Sequence, residues 1–380
     1  MKIKSAVLRE PKKPLTIEEL ELDPPKEREV LVKNAFSGYC HSDLSLMNGA
    51  IVLDLPFAIG HEVAGIVEEV GPGVTKLKKG DHVVPTWMIP CGKCPECLRG
   101  RGHICSGHIG YFSSGMLLDG TSRLRDKNGK MVRHNSFVSG FSSHSVVPED
   151  GAIPISKEMP LDQACFLGCC VPTGWGAVTN TADVQAGQSV AIYGSGGVGL
   201  NVIRGAALRL ADPIIVVDLE ASKEGIAREF GATHFIDSSK EDPVPKIQEI
   251  TGGKRKEDGT MEGGGAEVVF EVTGDTGAQV QGLWSTAVGG KFVTIGVAPM
   301  DQTAALSTSF LPLHEKSILG SLYGSISTHL DIPKLVDLSL KGHLMVEKLT
   351  SNKFRVEEIN DVAKALERRE IMGRWVCQWD

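Results

Sequence analysis

No run in the 380-residue chain approaches eighteen consecutive apolar residues, so no membrane-spanning helix is expected. The opening stretch, MKIKSAVLREPKKPL, lacks the apolar core of a secretory signal. An excess of positive charge is missing too: the formal net charge of −7 gives no electrostatic case for nucleic acid or an anionic membrane. Internal repeats and low-complexity tails are absent. So is an even set of cysteines, and nine of them fit a disulfide framework poorly. The expected compartment is the cytoplasm, where thiols stay reduced, and the cysteines then need another purpose.

What is present reads as a folded chain of two domains. Hydrophobic content of 41% and charged content of 23% are ordinary for a globular protein. Short apolar runs separated by Gly and Pro, among them Ala6-Val7-Leu8 and Glu29-Val30-Leu31-Val32-Lys33, predict a β-rich N-terminal part. Residues 113–136, rich in Ser, Gly, Asp and Lys, read as surface loop, and 161–170 as a buried helix. From Thr173 to about Val297 strand and helix patterns alternate, which predicts an α/β fold with a parallel sheet. Inside it, 252–265 is charged and glycine-rich and reads as an exposed, mobile loop. Helical periodicity returns at 332–338 and 357–368, and the chain ends on an apolar strand at Trp375-Val376-Cys377.

The most informative stretch runs from Val190 to Asp218. A strand-like run, Val190-Ala191-Ile192-Tyr193, meets the turn Gly194-Ser195-Gly196-Gly197-Val198-Gly199. A helical segment and a second strand, Ile214 to Val217, follow and end on Asp218. Gly194 permits the tight turn, Gly196 lets backbone approach a pyrophosphate, and Gly199 lets helix pack on strand. The helix N-terminus offers free N–H groups to phosphate. Asp218, about twenty residues further on, can accept from the hydroxyls of an adenosine ribose and repel a 2′-phosphate. No arginine follows it in Leu219-Glu220-Ala221-Ser222, so NAD is expected over NADP.

Two cysteine patterns point to metal. Cys91, Cys94, Cys97 and Cys105 have the spacing C-x2-C-x2-C-x7-C. Four thiolates complete a tetrahedral zinc and leave no open position, so such a site is structural; an iron–sulfur cluster and incidental cysteines are the competing readings. Cys40, His61 and one of Cys169 and Cys170 make the three-ligand set of a catalytic zinc, with a fourth position open. A core cysteine and a core histidine are the bland alternative.

The chain resembles the zinc-containing medium-chain alcohol dehydrogenases, and the resemblance covers nearly its whole length. It is carried by GYCHSD at 38–43, GHEVAGIVEEVG at 60–71, the four-cysteine lobe, LGCCVPTGWGA at 167–177 and GSGGVG at 194–199, in the family's order. Asp119-Gly120-Thr121-Ser122-Arg123 resembles the longer loop of the liver-type branch. The resemblance implies a β-rich GroES-like catalytic domain over 1–170 with a structural zinc lobe at 91–105. A Rossmann doubly wound parallel-sheet domain at 171–322 and a return to the catalytic domain at 323–380 complete it.

It further implies two Zn²⁺ per chain and NAD. Cys40, His61 and Cys169 would hold the catalytic zinc, and Cys91, Cys94, Cys97 and Cys105 the structural one. Cys169 lies four residues before Thr173 and so matches the family ligand; Cys170 stands where that branch usually has a small residue. Glu62 matches an acid close to the zinc, and Asp43 the acid that orients the ligand histidine. Ser42 matches the hydroxyl that contacts the substrate oxygen. His41 and Arg374 match groups near the pyrophosphate, Thr173 a residue against the nicotinamide, and Lys223 a ribose contact. Gly194, Gly196, Gly197, Val198 and Gly199 form the cofactor turn.

The implied reaction is reversible hydride transfer between a small alcohol and NAD. Zinc polarises the alcohol oxygen, and its proton leaves through Ser42. The branch's relay histidine is replaced here by Ser45, so water, another base or His41 must complete the relay. Trp87, four residues before Cys91, matches a position that narrows the substrate channel, and Met88 and Met116 are candidate neighbours. A primary alcohol, aromatic or allylic, is the expected substrate. Glutathione-adduct (formaldehyde) and hydroxyacyl-thioester dehydrogenases are alternatives within the family. A zinc-free quinone or enoyl reductase would lack Cys40, His61 and the lobe, and a non-enzymatic NAD-binding protein would not need them. The resemblance also implies a homodimer or homotetramer, joined by edge strands near 293–312.

Overall fold

The computed structural model describes every residue except Val52 and Thr308. The chain divides into two compact units: Met1–Pro172 with Ile326–Asp380, and Thr173–Ser325. Among the described residues no helix is long and apolar enough to cross a membrane.

The first unit is built on β structure. Its strand Lys2–Leu8 opens by alternating exposed Lys2 and Lys4 with buried Ile3 and Ser5, the period-two pattern of a half-buried strand. It belongs to a closed five-stranded barrel with Thr16–Leu22, Leu124–Arg125, Met131–His134 and Phe57–Ala58. A seven-stranded sheet stands beside it, centred on Glu29–Gly38. That strand pairs with Glu62–Val70, with His144–Pro148 and, at its C-terminal end, with the chain's last strand Arg374–Gln378. Gly38 is thus in register with both Glu62 and Val376. The pairing brings Glu62 and Arg374 beside Cys40, two residues beyond the strand.

The segment 113–136 is not the surface loop that its composition predicts. It supplies two barrel strands and buries the Arg123 side chain completely. Arg123 donates from Nε and Nη2 to Glu29 (2.9 and 2.5 Å), from Nη2 to Asp119 (2.8 Å) and from Nη1 to Thr121 (2.5 Å). Counting polar residues missed this because a bidentate carboxylate partner lets a guanidinium be buried. The stretch 161–170 is also not one helix: an α turn, Leu161–Ala164, passes into a 3₁₀ turn, Cys165–Gly168.

The second unit holds a six-stranded parallel sheet. Its strands, in spatial order, are His234–Asp237, Ile214–Asp218, Val190–Tyr193, Ala266–Glu271, Thr286–Thr294 and Ser317–Gly320. In chain order this is 3-2-1-4-5-6, the doubly wound arrangement whose switch point lies between the first and fourth strands. Val190–Tyr193 and Ile214–Asp218 are buried throughout, as continuous apolar runs covered on both faces must be. Gly194 has φ +101°, and a Cβ on Gly199 would collide with the Gly194 carbonyl. The region 252–265 carries a small exposed hairpin, Lys254–Arg255 with Met261–Glu262. The outer strand near the expected subunit edge is Ser317–Gly320; Val293 lies in Thr286–Thr294, which is paired on both sides.

Two predictions follow from the Arg123 region. Removing one partner of a buried pair leaves the other charge stranded. Arg123→Ala should therefore cost about 3–5 kcal/mol in urea unfolding. The double change Arg123→Met with Glu29→Leu should cost clearly less; equal losses would show that the charges are not what holds the loop. His134 is fully buried and accepts the Arg123 N–H at Nε2 (3.1 Å), with Nδ1 against Ser139 Oγ (3.2 Å). Burial first, then the Arg123 charge, push its pKa from 6.5 down to about 3. Between those values the unfolded chain binds a proton that the native one does not. Stability should then fall by about 1.4 kcal/mol per pH unit below pH ~6.5, and no contribution remains to be lost above it. His134→Asn should remove one proton from that slope, measured as unfolding free energy against pH.

Candidate metal centres and dinucleotide turn

Cys40 caps the short helix His41–Met47, whose third residue, Asp43, turns back on it. Asp43 Oδ2 accepts the Cys40 N–H (3.0 Å), and Oδ1 lies 3.2 Å from His61 Nδ1. A carboxylate can only accept, so Nδ1 carries the proton and Nε2 is left as a donor atom for a metal. The donor atoms of Cys40, His61 and Cys169 lie within 4.8 Å of one another, and all three residues are buried. Two sulfurs and one imidazole nitrogen are the chemistry of a zinc site with an open position. Cys170, next in the chain, is not in this group: its thiol faces the Phe166 carbonyl (3.9 Å), and its N–H donates to Glu62 Oε1 (2.9 Å).

The surrounding charges act on the ligands. Cys40 is held well below the ordinary thiol value, first by the hydrogen bond from Cys169, then, against burial, by Arg374 and His61. Burial lowers the His61 pKa, but Asp43 and Cys40 outweigh it and raise the value well above 6.5. Arg374 Nη2 lies 3.8 Å from Cys40 Sγ, and its Nε lies 3.4 Å from Glu62 Oε2. Glu62 Oε2 is buried without a hydrogen-bond partner, so this ion pair is not an aligned hydrogen bond. Ser42, exposed at the start of the helix, has its Oγ 3.8 Å from Cys40 Sγ. His41 is exposed beside it, and Ser45 Oγ donates to the His41 carbonyl (3.1 Å).

The second group is Cys91, Cys94, Cys97 and Cys105, again with donor atoms within 4.8 Å. The Cys91–Cys97 and Cys94–Cys105 sulfurs are 4.0 and 3.9 Å apart. Tetrahedral zinc with ~2.3 Å bonds spaces its sulfurs by ~3.8 Å, so the set fits one ion. A multinuclear cluster spreads its thiolates over several irons and needs wider spacing. Backbone N–H groups already point at the thiols: Cys97 N–H to Cys94 (3.4 Å) and Cys94 N–H to Cys91 (3.3 Å). The Cys97 N–H is the first cause that pulls Cys94 down to about 5, toward thiolate.

In the second unit, Gly197–Leu208 is helical from Gly197, so Val198 and Gly199 lie in its first turn. A Cβ on Gly196 would meet no protein atom within 4 Å, which leaves open space above the turn. Thr173 lies in the helical turn Cys170–Gly176. Asp218 Oδ2 accepts both the backbone N–H of Ser195 (2.8 Å) and its hydroxyl (2.6 Å). Oδ1 accepts the Glu220 N–H (3.1 Å), and Lys223 Nζ lies 3.3 Å from Oδ1. The Ser195 contact was not foreseen from the sequence; a hydroxyl residue in the second place of the turn was the available signal.

Comparison with known proteins agrees with this architecture. The family model for the Alcohol dehydrogenase GroES-like domain matches residues 26–157, and that for Zinc-binding dehydrogenase matches 197–341. The chain is 38% identical over 363 residues to an alcohol dehydrogenase class-3 of Cereibacter sphaeroides, covering 95% of each. It is 36% identical to an S-(hydroxymethyl)glutathione dehydrogenase of Paracoccus denitrificans, again covering 95% of each. Among solved structures, benzyl alcohol dehydrogenase from Acinetobacter calcoaceticus superposes with a TM-score of 0.91 at 32% identity over 100% of both chains. The chain belongs to the zinc-containing medium-chain alcohol dehydrogenase family, a class of oxidoreductases that act on alcohols.

The lobe that carries the second cysteine group has little apolar core: of Cys91 through Cys105, only His103 and Cys105 are buried. Its shape must then rest on the metal. Chelation of zinc at neutral pH should open the lobe to trypsin at Lys93, Arg99 and Arg101 before the rest of the chain is cut. Protection that is unchanged after metal loss would contradict this.

Proposed function

We propose that the protein is an NAD-dependent alcohol dehydrogenase that interconverts a primary aromatic alcohol and its aldehyde. The buried convergence of Cys40, His61 and Cys169 beside the exposed Ser42 hydroxyl is the observation that carries this reading. Zinc held by Cys40, His61 and Cys169 supplies a Lewis acid for the alcohol oxygen, and NAD supplies the hydride acceptor. Asp43 fixes the His61 tautomer, so that Nε2 faces the metal. Ser42 receives the proton of the alcohol at Oγ and passes it on, because a serine hydroxyl cannot keep it at neutral pH. Ser45 does not continue that relay, since its own hydroxyl is committed to the His41 carbonyl. His41 is the exposed base next in line.

Cofactor roles follow from the second unit and its neighbours in sequence. Gly194, Gly196, Gly197, Val198 and Gly199 cradle the pyrophosphate, and Asp218 and Lys223 take the adenosine ribose. Thr173 packs on the nicotinamide. His41 and Arg374 supply positive charge to the phosphates. Arg374 also stands against Glu62 and Cys40, so it serves the metal ligands whether or not cofactor is bound. Cys91, Cys94, Cys97 and Cys105 hold the second, structural zinc.

For the substrate, Trp87 packs against Phe112 and Phe112 against Phe137, with ring centroids 5.9 and 6.4 Å apart. Phe137 lies in the barrel core and Phe112 packs against it, so the row of rings holds Trp87 in place at the position that the resemblance gives to the substrate channel, and an indole there favours an aromatic alcohol. The similarity to S-(hydroxymethyl)glutathione dehydrogenases supports a second reading, a glutathione adduct. That ligand carries two carboxylates; residues 106–118 around Phe112 contain no lysine or arginine of their own, and the guanidinium that reaches them, Arg133 on the Ser114 carbonyl (3.0 Å), is already paired with Asp54 (3.5 Å). We therefore favour the aromatic alcohol. The outer strand Ser317–Gly320, with Leu313 at 78% exposure and Ile318 and Leu322 also exposed, supports pairing with a second copy. Nine free cysteines support a reducing compartment such as the cytoplasm.

The decisive experiment follows NAD reduction against benzylic, aliphatic and glutathione-adduct substrates. Benzylic alcohols should give the highest kcat/KM, NAD should exceed NADP, and Ser42→Ala should lower alcohol oxidation by about 10²–10⁴ with zinc retained. Highest efficiency with the glutathione adduct would reverse the substrate assignment. Metal analysis tests the ligand choice: wild type should hold about two zinc ions per chain, Cys169→Ser about one and Cys170→Ser about two. The opposite pattern would make Cys170 the ligand.

A further inference from the structure

Ser195 occupies the second place of the glycine turn and is 1% exposed. Both of its donors end on one atom: its N–H and its hydroxyl reach Asp218 Oδ2 at 2.8 and 2.6 Å. The other oxygen, Oδ1, takes the Glu220 N–H at 3.1 Å and the Lys223 ammonium at 3.3 Å. A carboxylate has about four acceptor sites. Asp218 therefore has its acceptor capacity filled from within the chain.

A ribose diol brings two further O–H donors. The two backbone N–H groups cannot leave without dismantling the turn. Lys223 can leave, because its ammonium is on a flexible stem, and that clears Oδ1. Lys223 also reaches Oδ2 (3.4 Å); once it has left, the movable donor that remains on that oxygen is the Ser195 hydroxyl, which can rotate away. We propose that Ser195 is an internal competitor for the adenosine ribose: its hydroxyl occupies Asp218 Oδ2 and must yield that oxygen when cofactor binds. The hydroxyl thus weakens cofactor binding and speeds release of reduced cofactor. This rests on the reading of Asp218 as the ribose acceptor for NAD.

Ser195→Ala removes the hydroxyl and keeps the backbone donor, so the turn stays tied to Asp218. The test is equilibrium titration of the zinc-loaded wild type and variant with NADH, followed by nicotinamide fluorescence, with reduced nicotinamide mononucleotide as control. The variant should bind NADH about tenfold more tightly, the equivalent of one charge-assisted hydrogen bond. NADH dissociation in stopped flow should slow to match. The mononucleotide has no adenosine ribose, and its affinity should not change. If the variant binds NADH equally or more weakly, the hydroxyl positions the carboxylate or is idle, and the competitor assignment is wrong. Equal tightening of the mononucleotide would also overturn it, by placing the effect outside the ribose. Failure of the wild type to bind NADH at all would instead remove the NAD reading, and this inference with it.

Discussion

Three donor atoms from residues 40, 61 and 169 meet in a largely buried site, and the first unit is arranged to make that possible. Thiols and an imidazole resist being brought together out of solvent unless each has a partner for its charge or proton. The partners are supplied by neighbouring strand ends. Glu29–Gly38 delivers Cys40 just past its end, Glu62–Val70 delivers Glu62 directly after His61, and the last strand delivers Arg374. The C-terminal segment is therefore part of the metal site's support, although more than three hundred residues separate Arg374 from Cys40.

The same principle recurs at Arg123, where no ligand is in question. A guanidinium with no exposed surface is held by Glu29, Asp119 and Thr121, and its charge in turn helps to keep His134 neutral. Glu29 opens the central strand that ends near Cys40. The longer loop is thus tied to the frame that positions the metal ligands, which gives Asp119 and Arg123 a structural purpose apart from any substrate contact.

Features set by near neighbours in the chain were legible without coordinates. The glycine turn and its two strands, and the spacing of the four lobe cysteines, are local patterns with a local physical cause. Features set by long-range pairing were not. Composition could not tell that residues 113–136 hold two barrel strands: the two pair with each other, but the strands that flank them, at Glu21-Leu22 and Phe57-Ala58, are remote in sequence. Neither could it separate Cys169 from Cys170, adjacent thiols that differ because Cys169 breaks the chain between the 3₁₀ turn Cys165–Gly168 and the helical turn that Cys170 begins. Ser195 was visible as a residue, but its meaning depends on Asp218 arriving from the next strand with its oxygen already aimed at the turn.

Charge balance explains why Arg374 belongs where it is. With a metal bound, Cys40 and Cys169 would both be thiolates and, with Asp43 and Glu62, would bring four negative charges into a buried volume, of which a divalent ion answers only two. Without a further cation the site would bind metal strongly but leave Glu62 or Asp43 uncompensated, a cost of several kcal/mol for each buried ion. Arg374 lies within 4 Å of both Cys40 and Glu62, so a single guanidinium offsets negative charge at two positions at once. A lysine there would carry all its N–H donors on one compact nitrogen, whereas Arg374 meets the sulfur with Nη2 and the carboxylate with Nε, two separate corners of one plane. The planar, always-charged side chain is what lets an acid beside the metal remain buried.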